Sequence, residues 1–171
     1  MGFTHGPTPL PRPSAGVFFE MNDNDRITAV HEAGHALVGH LVGHLVERAF
    51  IGVDPEGAVP AGTADGGIAL RLVGDWRHAV IVAVAGWCAE EVIFPGSQAD
   101  RGQDEVFCRD ALCQAGFSEW HSDAFIEWAT AIVKDQIRVR RSTLEAVADW
   151  LTLHRDIHSE TLAALVRAHD T

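Results

Sequence analysis

From Ile27 to Val46 apolar residues recur at helical spacing, with Val30, Leu37, Leu41 and Leu45 along one side. Asn22, Asp23, Asn24 and Asp25 precede this run as N-cap candidates, so the pattern predicts a helix that ends near Arg48. Ala49-Phe50-Ile51-Gly52-Val53 then reads as a strand stopped by Asp54-Pro55. Gly67-Ile68-Ala69-Leu70-Arg71-Leu72 reads as a second extended piece after a Gly- and Ala-rich loop. These make a small sheet at most. From Asp75 the pattern turns helical again. Asp75 can cap a helix whose interior, Ala79 to Ala89, is almost wholly apolar, which predicts an element sunk in the core and ended by Pro95-Gly96. Asp104 to Ala115 and Asp123 to about Leu153 predict two more helices, the second long enough to kink, and Ser159 opens a last one through Ala168. Trp120, Trp128 and Trp150 are expected to pack these helices together. The fold class expected is mainly α, of the α+β kind, with a small sheet after the first helix.

Pro7, Pro9, Pro11 and Pro13 stand among Gly and Ser at the start, a stretch that can build neither a helix nor a central strand. Residues 1–16 are therefore expected as a flexible arm, with one domain over 17–171. A chain of 171 residues that is 47% hydrophobic has the volume for a proper core. Its net charge of -11 disfavours nucleic acid or an anionic membrane as partner, since both would repel it. The apolar run at 79–89 is too short for a membrane span. Three cysteines without paired spacing point to a reducing compartment, and Cys108 and Cys113 read as buried thiols before they read as metal ligands. With no signal peptide at the start, the expectation is a cytoplasmic chain.

The chemistry concentrates in His31-Glu32-Ala33-Gly34-His35. On a helix the two histidines stand about 40° apart on one face, close enough to share one ion, and Glu32 sits just off that line. This is the arrangement of a hydrolytic zinc site: two imidazoles hold the metal, the metal activates water and polarises a carbonyl, and the carboxylate takes the water's proton. In a chain with 10 His and 24 Asp and Glu, the competing reading is a solvated histidine-rich face. The helical context around the motif favours the metal.

Such a site needs a third protein ligand. A metzincin-type completion would put Gly at 38 and His at 41, where this chain has Val38 and Leu41. His40 and His44 lie roughly 180° and 220° round a straight helix from His31, so neither can join the same ion. They are expected to be exposed or structural. Glu90 and Glu91 on the later helix, and Asp100, Asp104, Glu105 and Asp110 beyond it, remain as carboxylate candidates. A carboxylate of the Glu90-Glu91 pair could instead fix a histidine tautomer by accepting its free N–H, or serve in a salt bridge or a helix-end contact.

Ala29-Val30-His31-Glu32-Ala33-Gly34-His35-Ala36-Leu37-Val38-Gly39 resembles the signature of the peptidase domain of FtsH-type AAA zinc proteases. Ala85-Gly86-Trp87-Cys88-Ala89-Glu90-Glu91-Val92-Ile93-Phe94 is similar to that family's Gly-Arg-Ala-Ala-Glu-Glu helix, with Trp87 in place of the arginine. The likeness continues through Leu144 to Leu151 and Leu162 to Val166. It covers most of 24–168. The family's third zinc ligand is the aspartate of an Asn-Asp pair, and Gln103-Asp104 stands at the matching place, so the resemblance implies Asp104. Ala99-Asp100-Arg101-Gly102 replaces the family's Thr-Gly-Ala run, which keeps Asp100 as the reserve.

The resemblance thus implies a zinc metallopeptidase with His31, His35 and Asp104 on Zn2+ and Glu32 as general base. The family's membrane anchor and ATPase ring have no counterpart in these residues, which contain no Gly-x-x-x-x-Gly-Lys-Ser/Thr loop. Peptides or unfolded segments are the expected substrates, taken directly or delivered by a separate ATPase. The strand at 67–72 is a candidate for holding an extended peptide by edge pairing. The rival from another class is a protease-derived binding or regulatory module that keeps the ion for structure.

Overall fold

The computed structural model describes residues 23–52, 66–96, 99 and 101–169. The expected N-terminal arm, the start of order near Val17, the strand end at Val53 and the reserve ligand Asp100 lie outside the described residues. The chain runs α1 (Asp23–Leu41), β1 (Leu45–Ile51), β2 (Gly66–Arg71), α2 (Trp76–Ala83), α3 (Ala85–Ile93), α4 (Gly102–Gln114), α5 (Glu119–Val139), α6 (Arg141–His154), β3 (Asp156–His158) and α7 (Ser159–His169). The fold is mainly α with one small antiparallel sheet of strand order β2-β1-β3.

α1 is the organising element, lying against α3, α6 and β1. Val30, Ala33 and Leu37 on α1, Val80 on α2, Val84 in the turn that follows it, Trp87 on α3, and Leu144, Val147 and Leu151 on α6 are buried together in one core. The α1–α3 crossing is close because small residues meet there. A Cβ on Gly34 would come within 2.5 Å of the Ala85 carbonyl oxygen and 2.7 Å of the Ala89 Cβ.

The first helix is shorter than its apolar spacing predicts. It stops at Leu41, and the strand begins at Leu45 rather than Ala49. Gly43 takes φ +84, and the amides of Gly43 and His44 turn back onto the carbonyls of His40 and Gly39. These two bonds make a Schellman stop, which needs the left-handed residue that glycine supplies. Leu41 and Leu45 continue the helical spacing of Leu37 but are exposed, so the periodicity past residue 40 is coincidental.

The apolar run from Trp76 is indeed sunk in the core, its first turn capped by the Asp75 side chain, which accepts from the Arg77 amide. Such a cap contributes about 1 kcal/mol. A turn at Val84 divides the run into α2 and α3. The long helix expected from Asp123 starts earlier, behind Ser118, whose hydroxyl accepts from the His121 amide, and it breaks at Arg140 into α5 and α6. β3 pairs Ile157 with Ala49 of β1. Three residues are too few to carry a readable alternation.

The tryptophans depart from expectation. Trp120 and Trp128 are 72% and 50% exposed, while Trp150 is half-buried and donates its indole N–H to the Asp156 carbonyl. Trp76 on α2 instead contacts Phe125 on α5 and Phe117 in the loop between α4 and α5. Cys108 is buried as expected, but Cys113 is exposed. Among the described residues, no helix is long and apolar enough to cross a membrane.

Candidate metal centre

Three elements bring the site together. α1 presents His31 and His35 one turn apart, α3 crosses behind them, and the first turn of α4 carries Asp104. His31 Nε2 lies 3.0 Å from His35 Nε2 and 3.0 Å from Asp104 Oδ2, and His35 Nε2 lies 3.1 Å from the same oxygen. Tetrahedral zinc with bonds of about 2.0 Å sets its ligand atoms about 3.3 Å apart, so the triangle is close to the size that this ion needs. His31, His35 and Asp104 form a group within metal-binding distance.

The outer face of each ring decides what the inner face can be. His35 Nδ1 stands 2.8 Å from the Val82 carbonyl, which can only accept, so that nitrogen carries the proton. His31 Nδ1 donates in the same way to Glu90 Oε1 at 2.6 Å. With both outer nitrogens protonated, each neutral ring turns a bare Nε2 inward, toward a carboxylate oxygen that also has only lone pairs to offer. Three acceptors in contact repel one another unless a metal ion or a proton lies among them. Without a metal, protonated His31 can supply that proton. Burial opposes the charge on His31, yet the carboxylates of Asp104 and Glu90 raise its pKa to about 10. Burial would raise Asp104, but its contacts with His31 and His35 hold the carboxyl well below the usual range.

Glu32 is buried, and its Oε2 accepts no hydrogen bond from the described protein groups. Burial pushes its pKa up, opposed by the nearby His35 and His31. A shift in that direction makes the carboxylate a stronger base than a solvated one. The triad opens into a cleft of about 610 Å³ whose walls include Glu32, Glu90, Gly66, Ile68 and Arg101. Among the described residues β2 pairs on one side, with β1, and Gly66, Gly67 and Ile68 of β2 line this cleft.

No family model and no curated protein matches this chain. The site is therefore read from its own residues. Glu90, open as a ligand or an orienting group in the sequence, orients His31 from the ring's far side. Glu91 pairs with Lys134 and Arg101 instead, and Glu105 with Arg109. His44 is buried, its Nδ1 accepting the Val73 amide, and serves the fold. Burial pushes the Cys88 and Cys108 thiols up to about 12, so both are protonated at neutral pH.

Two contributors escaped the sequence reading. The Val82 carbonyl has no side-chain signature. Gly86 does have one, a glycine inside an apolar helix, which marks close approach. A Cβ there would fall 2.4 Å from His31 Nε2 and 2.6 Å from His35 Nε2.

Proposed function

We propose that this chain is a zinc-dependent peptidase of the FtsH-like type, cleaving peptide bonds in peptides, flexible loops or unfolded segments. The observation that carries this reading is the convergence of two imidazole nitrogens and one carboxylate oxygen beside a buried Glu32 whose Oε2 has no hydrogen-bond partner among the described residues. His31, His35 and Asp104 would hold the ion, leaving a fourth position for water or substrate. Zinc supplies Lewis acidity there, toward the attacking water and the carbonyl under attack. Glu90 and the Val82 carbonyl keep both rings in the tautomer that ligates.

Glu32 takes the proton of the attacking water. It then returns that proton to the departing amine nitrogen, so the carboxylate is regenerated as the peptide bond breaks. The side of β2 away from β1, unpaired among the described residues, would offer backbone groups to an extended peptide alongside Glu32, which suits a chain of unspecified sequence. Pairing with a strand requires an extended chain, so turnover of folded proteins would require a separate ATPase to supply it.

The test is Glu32→Gln with zinc content and cleavage of fluorescein-labelled casein measured together. Zinc stays stoichiometric and the rate falls by at least about a hundredfold, the contribution of a positioned general base. A fully loaded wild type that cuts neither casein nor peptides turns the site into a structural ion centre.

A further inference from the structure

We infer that an apolar recess between the end of β2 and α4 receives a large apolar side chain of the substrate, best an aromatic one, about three or four residues ahead of the bond to be cut. The inference rests on the peptidase reading and adds a substrate class to it.

The same two elements wall the triad and the recess. β2 lines the triad's cleft with Gly66, Gly67 and Ile68, and α4 lines it with Asp104. Farther along both, Leu72, just past the end of β2, and Phe107 and Ala111 on α4 line a second hollow of about 440 Å³, to which α2 contributes Trp76 and Ala79. From Ile68 to Leu72 an extended chain advances about 13 Å. From Asp104 to Ala111 a helix rises about 10 Å. On both walls the recess therefore lies about three or four residues of extended peptide from the triad.

Apolar residues scattered singly over a surface are ordinary, but here they converge on one hollow. Leu72 and Phe107 are 51% and 47% exposed. The Trp76 ring is held by Phe117 and Phe125, so that wall is in place before a ligand arrives. Among the described residues lining the recess Asp110 alone is charged. An acidic side chain is thus disfavoured there, and an aromatic ring meets matching apolar surface.

Continuity with the cleft assigns the occupant to the substrate itself. β2 leads from Gly66, where an added Cβ would fall 2.9 Å from Glu32 Cγ, toward Leu72. A peptide added to β2 in the antiparallel sense, as β1 already is, runs the opposite way. Its amino-terminal part then passes the recess while its scissile carbonyl lies at the triad. The recess is open to solvent and covers part of a ring, so the expected advantage of Phe over Gln at that position is roughly tenfold.

Zinc-loaded wild type is given end-blocked peptides of Gly, Ser and Gln that carry one Phe at successive positions, and the products are mapped by mass spectrometry. The expected result is cutting about three or four residues to the carboxyl side of the Phe, moving in step with it, at roughly tenfold higher kcat/KM than for the peptide with Gln in its place. Glu in its place brings no gain. With Leu72→Gln and Phe107→Gln combined, both at exposed positions, the advantage and the register vanish, while zinc content and cutting of the Gln peptide stay as in wild type. Phe107→Leu keeps most of both. Cuts that ignore the Phe, with the Gln peptide still cleaved, overturn the inference and leave the peptidase reading intact. A register that survives the double substitution, or cuts on the amino side of the Phe, also overturns it. A wild type that cuts casein but none of these peptides overturns the inference alone, and one that cuts neither overturns both readings.

Discussion

Gly86 shows how finely single atoms define this centre. Its Cα faces both ligand nitrogens, and the Cβ of an alanine would lie 2.4 and 2.6 Å from them, inside the volume that an ion at about 2.0 Å from each would need. Alanine is also the better helix former by about 1 kcal/mol, so Gly86→Ala should bind far less zinc without losing helix. Elemental analysis alongside far-UV circular dichroism checks this, and full zinc occupancy in the variant would contradict the geometry. At this scale the sequence was most legible where one element carries the chemistry. His31, Glu32 and His35 could be read together because a helix fixes their spacing. Asp104 could not be separated by spacing from Asp100 or Glu90, because its approach depends on how α3 and α4 pack against α1. Only the family resemblance singled it out.

At the level of elements, boundaries were set by conformational stops that hydrophobic periodicity ignores. The apolar spacing of Leu37, Leu41 and Leu45 runs on through the end of α1, whereas Gly43 at φ +84 terminates it. A β-branched side chain is poorly tolerated there, so Gly43→Val should destabilise the fold by about 1–2 kcal/mol. Denaturant unfolding monitored by tryptophan fluorescence measures this, and an unchanged midpoint would show that the turn can re-form without the left-handed residue. The small sheet and the apolar α2–α3 run were legible because alternation and continuous apolarity survive local irregularity. The break at Arg140 and the three-residue β3 were not. The first leaves the helical pattern of α5 and α6 in phase, and the second exists through its pairing with β1. Trp120 and Trp128 misled because a large apolar ring states a preference for burial, not a place to satisfy it.

For the whole molecule, the proposed centre would couple metal, protons and folding. In metal-free protein His31 has a folded-state pKa of about 10 against an ordinary 6.5. The folded state then binds the proton more tightly, and the resulting stability is fully present below about pH 6.5 and is lost as pH rises through about 10. Zinc takes the place of that proton, so the loaded protein should not show this decline. Thermal melts of chelated and zinc-loaded protein from pH 6 to 10 should therefore diverge, with Tm of the chelated form falling across the range. Parallel curves would mean that His31 does not hold the proton. Zinc in excess should also raise Tm by mass action, since the unfolded chain offers no assembled site.

The central claim is that His31, His35 and Asp104 hold one divalent ion together. It is tested most directly by the zinc content of purified wild type and Asp104→Ala, measured by elemental analysis after loading and exhaustive desalting. One equivalent in the wild type and a small fraction of that in the variant is the result expected. Equal zinc in both proteins, or none in the wild type, would contradict it.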